Sequence, residues 1–137
     1  MGLLSLFWVA LGCNGGTVDS KVVIDTDADD TEAPVITTTP ILEAQPLGVA
    51  VEVTADVVDD KSGVREVYLY YKQETSTFWQ SVKLEPTEGN TYQGSIPGDY
   101  VHTAGMHYYL SATDEMNNGG FAPAQGEADP YHFAIGT

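Results

Sequence analysis

Between Val49 and Lys72 the chain reads VAVEVTADVVDDKSGVREVYLYYK, and this stretch limits its fold more than any other. In the first half Val49, Val51, Val53, Ala55 and Val57 share one face, while Ala50, Glu52, Thr54 and Asp56 share the other. In the second half Val67, Leu69 and Tyr71 alternate with Glu66, Tyr68, Tyr70 and Lys72. A period of two with one apolar face marks a half-buried strand, because successive side chains point to opposite sides of a sheet. The five residues from Asp59 to Gly63 between the runs supply turn chemistry: Asp and Ser bond to nearby backbone, and Gly accepts a positive φ. The pair is therefore expected to form the centre of an antiparallel sandwich.

The rest of the chain after residue 33 repeats this style of short strand and turn. Pro34 and Pro40 bracket a β-prone stretch suited to a sheet edge. Pro46, Leu47 and Gly48 make a turn. Thr77 to Leu84 is a further expected strand, with Trp79 facing inward. Thr91 to Ile96 follows, with Tyr92, Gly94 and Ile96 on one face. Gly105 to Asp114 places Met106, Tyr108, Leu110 and Ala112 inward. Glu115 to Asp129 is expected to be a long loop. Tyr131, Phe133 and Ile135 close the sheet. No helical period appears in this part. About seven short strands separated by turns indicate an all-β sandwich.

The N-terminal segment differs in kind. Leu3 to Leu11 is almost unbroken apolar sequence, too short to span a bilayer as a helix and of the length of a secretory signal's apolar region. It ends in Ala10, Leu11, Gly12 and Cys13, which resembles the lipobox of a bacterial lipoprotein. The resemblance implies a signal peptide at residues 1–12, cleavage before Cys13, and a diacylglyceryl group on the Cys13 sulfur. By the sorting pattern of such lipoproteins, Asn14 after the cysteine carries no Asp-type retention signal, which favours the outer membrane. Residues 13–33 then read as an acidic flexible tether. Their Gly, Asp and Thr content buries too little apolar surface to offset chain entropy. Asp25, Asp27, Asp29 and Asp30 lack the glycine and distal glutamate of an EF-hand loop.

Residues 34–137 resemble a bacterial immunoglobulin-like or fibronectin type III-like domain. The segments that carry the likeness are APVITTTP, VEVTADVVDDKSGVREVYLYYK, TYQGSIP, AGMHYYLSATDEMNN and PYHFAI. The likeness implies a sandwich used as a spacer or adhesion module in secreted or anchored proteins, without naming a ligand. The antibody-type pair of inter-sheet cysteines is absent, since the chain has one cysteine. Tyr108 occupies the place of the family's buried tyrosine, with its hydroxyl expected to bond nearby backbone.

Charge narrows the partners. The formal net charge of −15 opposes nucleic acid, whose phosphates require Lys and Arg, and opposes adsorption to anionic lipid through basic residues. No serine lies in a G-x-S-x-G elbow and no nucleophile–base pair can be named, so catalysis is not expected. His107 and His132 are expected to be neighbours on outward faces, but two histidines without a third ligand make a poor zinc site. Calcium is the better metal candidate. Asp59 and Asp60 share one turn, and Asp114 and Asn117 lie in a later loop that a sandwich can bring to the same end. Turn geometry alone accounts for each of these residues, and no cofactor is required. The remaining candidate is an aromatic surface: Tyr68, Tyr70 and Tyr109 point away from the core by strand parity. Such tyrosines can bind a protein or a glycan, or can simply stabilise a sheet by cross-strand pairing. The reading is a lipid-anchored envelope protein presenting one binding or adhesion module. An inert spacer, an accessory subunit and a calcium-dependent adhesion domain are the alternatives.

Overall fold

The computed structural model describes residues 30–102 and 104–136. The expected signal peptide, Cys13 and nearly all of the tether lie outside the described residues. The compact unit that begins at Thr31 is all-β. Its strands are β1 (Val35–Thr37), β2 (Gln45–Pro46), β3 (Val51–Val58), β4 (Val64–Gln73), β5 (Gln80–Lys83), β6 (Glu85–Pro86), β7 (Thr91–Ile96), β8 (Met106–Asp114), β9 (Gly119–Ala122), β10 (Tyr131–Phe133) and β11 (Ile135–Gly136). Short 3₁₀ turns occupy Gly98–Tyr100 and Gly126–Ala128.

The strands form an immunoglobulin-like sandwich. One sheet runs β1-β3-β7-β6 and the other runs β10-β8-β4-β5, with β9 also on β8. The edge of β8 away from β4 is divided between two partners. β10 pairs with Met106 to Tyr108, and β9 pairs with Leu110 to Thr113. All of these pairings are antiparallel; β11 and β2 form a small parallel pair apart from the two sheets.

The alternation in β3 and β4 produces the core as expected. Val51, Val53, Ala55 and Val57 face Val67, Leu69, Tyr71, Met106, Tyr108, Leu110 and Ala112, all buried. Ile96 of β7 and Phe133 of β10 complete this layer. Gly94 has a packing reason: a Cβ there would stand 2.3 Å from Leu84 Cδ2, in a core position where Leu84 is buried. The turn between β3 and β4 also forms as its residues dictate. Asp59 Oδ1 accepts the N–H groups of Lys61 and Gly63, each at 3.0 Å, and Gly63 takes φ +91°.

Tyr108 is fully buried, and its hydroxyl accepts the Ile41 N–H at 3.0 Å. The ring thus joins the β8 core to the loop after β1. Burial raises the Tyr108 pKa, against the opposing effect of the Ile41 bond; Tyr131 raises it further.

Several local expectations need correction. Val49 lies outside β3 and is exposed, because pairing with β7 begins at Val51 opposite Ile96. The stretch 115–129 is not one loop, since Gly119–Ala122 pairs with β8 as β9. Ile135 is half-buried and leaves the main sheet to pair with Gln45 of β2. Trp79 does not point inward. Thr77 to Trp79 precede β5 rather than belong to it, so strand parity does not govern them.

Candidate functional site

The outer face of the five-stranded sheet carries a group of aromatic side chains not used by the core. Parity places Tyr68, Tyr70 and Lys72 of β4 there, with His107, Tyr109 and Ser111 of β8 beside them. Tyr70 and Tyr109 are direct cross-strand partners. Their rings stack at 4.8 Å between centroids with 12° between planes. Tyr68 lies 6.3 Å from Tyr70 along the same strand. The structure therefore brings together the three tyrosines singled out from the sequence.

Two further aromatics enlarge the group. Trp79 meets Tyr109 edge-on at 4.9 Å, and Phe121 of β9 meets it at 6.1 Å. The segment before β5 folds back to achieve this: Lys72 Nζ donates to the Ser76 carbonyl at 2.9 Å, and Ser76 Oγ accepts the Phe78 N–H at 3.1 Å. Lys72 Nζ also stands 5.4 Å from the Trp79 ring centre, within reach of a cation–π contact. Flanked in this way, Tyr109 is only 7% exposed although it lies on the outer face. It supports the surface, while Phe121, 50% exposed, presents ring area to solvent. Burial raises the Tyr109 pKa, reinforced by Glu127 and then Tyr70.

A shallow cleft of ≈ 530 Å³ opens beside these rings, lined by Tyr109, Phe121, Gln125, Glu127 and Ala128. Phe121 is seated on the 3₁₀ turn: Gly126 has φ +54°, and a Cβ there would come within 3.2 Å of the ring. The cleft thus combines ring surface with one amide and one carboxylate. Sequence reading missed Trp79 and Phe121. Phe121 stands among glycines and prolines, in a stretch whose composition reads as loop. Strand parity, extended to residues that precede β5, wrongly points Trp79 inward.

The acidic candidates separate. Asp59 and Asp114 present carboxylate oxygens within 4.8 Å of each other. Asp114 is fully buried at the end of β8, not in an exposed loop. Its Oδ1 accepts the N–H groups of Met116 and Asn118, and its Oδ2 accepts Asn118 Nδ2, all at 2.8 Å. The Glu115 N–H donates to Gly63 O at 3.1 Å, which holds the two turns together. Asp60 is exposed. Asn117 is exposed too and sits at φ +69°, a conformation asparagine tolerates in turns. Turn geometry thus occupies both carboxylates.

No protein-family model matches the sequence, and no curated protein matches it. Among solved structures, the X-ray structure of the endo-beta-1,4-mannanase from Thermotoga petrophila aligns with a TM-score of 0.54 at 11% identity. The alignment covers 98% of this chain and 32% of the mannanase chain, so this chain spans about one third of that protein's length. At that identity the likeness is one of fold.

Proposed function

We propose that the protein is a lipid-anchored component of a bacterial cell envelope, favouring the outer membrane, that presents its sandwich as a binding module for a neutral polysaccharide. Cys13 takes the lipid, residues 13–33 form the tether, and residues 34–137 carry the binding face. The observation that carries the binding reading is the exposed ring of Phe121 beside Gln125 and Glu127, over a cleft floored by Tyr109. A sugar ring has an apolar face that packs on aromatic carbon and hydroxyls that bond to amides and carboxylates. A cleft with mostly apolar walls and a few placed polar groups is the general form of a ligand site. The net charge of −15 disfavours anionic polymers, which leaves neutral glycans. The mannanase likeness adds a first ligand to try, a β-1,4-mannan, and nothing about activity here.

Affinity electrophoresis through gels containing neutral polysaccharides tests this reading. Retardation is expected for the wild type, and Phe121→Ala should weaken it by about tenfold or more, as loss of an anchoring aromatic does. Migration of wild type and variant unchanged by every neutral glycan would leave the face as a protein-docking or purely structural surface. The anchor is tested separately, by fatty-acid labelling in cells, which Cys13→Ser should abolish.

A further inference from the structure

Two outward histidines acquire a third partner that their sequence positions did not reveal. His107 of β8 and His132 of β10 are cross-strand partners, with ring centres 5.1 Å apart and planes at 73°. Glu74 follows the end of β4, where its N–H donates to Gly105 O at 3.0 Å. That bond places the Glu74 carboxylate beside the same histidines, and its Oε1 lies 2.9 Å from His132 Nε2. One ligand atom from each of the three residues lies within 4.8 Å of the others.

We propose that Glu74, His107 and His132 form a zinc-binding site. Two imidazole nitrogens and one carboxylate oxygen are a ligand set that holds zinc, with the fourth position left to water or to a partner's group. Ligands about 2.0–2.1 Å from a tetrahedral ion lie about 3.3 Å apart. The Glu74–His132 pair must therefore open by a few tenths of an ångström, and no other separation has to close by more than about 1.5 Å. Glu74 and His132 are about half-exposed, so both can turn without disturbing the core. Gly105 leaves the space in which they converge. A Cβ on it would stand 2.9 Å from His132 Nε2 and 3.1 Å from Glu74 Oε1.

Burial, followed by the charges of Lys72 and His132, pushes the His107 pKa down, while Glu74 pulls it back up. Lys72 faces His107 across β4 and β8. Its ammonium is engaged by the Ser76 carbonyl and lies over Trp79. Bound metal would tie β10 and the end of β4 to β8, three segments distant in sequence.

The test uses the full chain carrying Cys13→Ser, so that its single thiol cannot take the metal. Zinc chloride is titrated after chelator treatment, and the imidazole resonances are followed by NMR. His102 is the internal control, being exposed and in contact with the Asp99 carbonyl instead. The expected result is that the His107 and His132 signals move together and saturate at one equivalent, while His102 stays. His132→Gln and His107→Gln should each weaken binding by at least about 100-fold, more than loss of an outer partner costs. Zinc that moves none of the three histidines, or moves all three alike, overturns the proposal. So does binding that survives in the His107→Gln/His132→Gln double variant.

Discussion

Asp114 is the polar group on which the packing argument is most exposed to test. Its fully buried carboxylate accepts three bonds from its own loop. Hydrogen bonds to a charged acceptor contribute about 1.5–3 kcal/mol each, though not additively, and water can reach the exposed Met116 end of the loop. Asp114→Ala therefore removes about 4–6 kcal/mol of bonding on this basis. An opposing effect comes from Asp59, whose carboxylate lies within 4.8 Å. Two like charges at that separation repel by about 1 kcal/mol with water-like screening and about 3.5 kcal/mol at an effective dielectric constant of 20. The net expectation for Asp114→Ala is a loss of about 0.5–5 kcal/mol, centred near 3, a large part of a small domain's stability. Asp114→Asn keeps an oxygen for the two backbone N–H groups and loses the repulsion but gives up the Asn118 Nδ2 bond, so it should cost about 1 kcal/mol, clearly less than Ala. Urea unfolding of the full chain at neutral pH, with 5 mM calcium and with chelator, measures all three. Equal losses for Asn and Ala would refute the reasoning, because the charge rather than the acceptor geometry would then be essential. If calcium also raised wild-type stability, by about 2.7 kcal/mol at a hundred times its dissociation constant, a cation would be what the two carboxylates hold. The turn-based account expects calcium to change nothing.

Tyr108→Phe should cost about 1–2 kcal/mol, because the ring stays in the core while the Ile41 N–H loses its acceptor. For a domain near 100 residues that lowers Tm by about 4–16 °C; no measurable change in a thermal melt would mean that water replaces the hydroxyl. Alkaline pH should destabilise the domain. Burial raises the pKa values of Tyr71, Tyr108, Tyr109 and Tyr131 above 10.0 in the folded state. Above pH 10 the unfolded chain then holds fewer protons than the native one, so unfolding free energy falls as pH rises, and it is fully present below that point. Urea midpoints across pH 8 to 12 check this, and a flat profile would contradict the burial of these phenols. The drop should be shallower in Tyr108→Phe, which removes one of the four groups.

The sandwich was legible because its long strands obey one rule. Val51 to Val57 in β3, Val67 to Tyr71 in β4 and Met106 to Ala112 in β8 are apolar at every second position, and each of those positions is buried. The same parity put Tyr68, Tyr70 and Tyr109 on the outer face, while the Tyr108 bond was expected from the family likeness. What was hidden depended on contacts without a period. Trp79 lies in a link whose course is set by the Lys72–Ser76 bond, and an apolar residue in a link has no face to be assigned. Phe121 lies in a four-residue strand among glycines, too short to show alternation against turn-forming neighbours. Glu74 had no reason to be placed near His132, 58 positions away, until the Gly105 carbonyl was seen to anchor its backbone.

Tyr108 and Tyr109 show how far residue type alone can mislead about role. They are adjacent, both are nearly inaccessible, and burial raises both pKa values. Tyr108 faces the opposite sheet, and its hydroxyl has a fixed backbone partner. Tyr109 faces outward and is covered by side chains at the surface, among them Tyr70, Trp79 and Phe121. A ligand that displaced Trp79 or Phe121 would uncover Tyr109 without breaking any strand pairing. The same displacement at Tyr108 would require separating the sheets. Outer-face rings can therefore rearrange at a cost of side-chain contacts alone, which is the physical condition for a binding surface carried on a rigid sandwich.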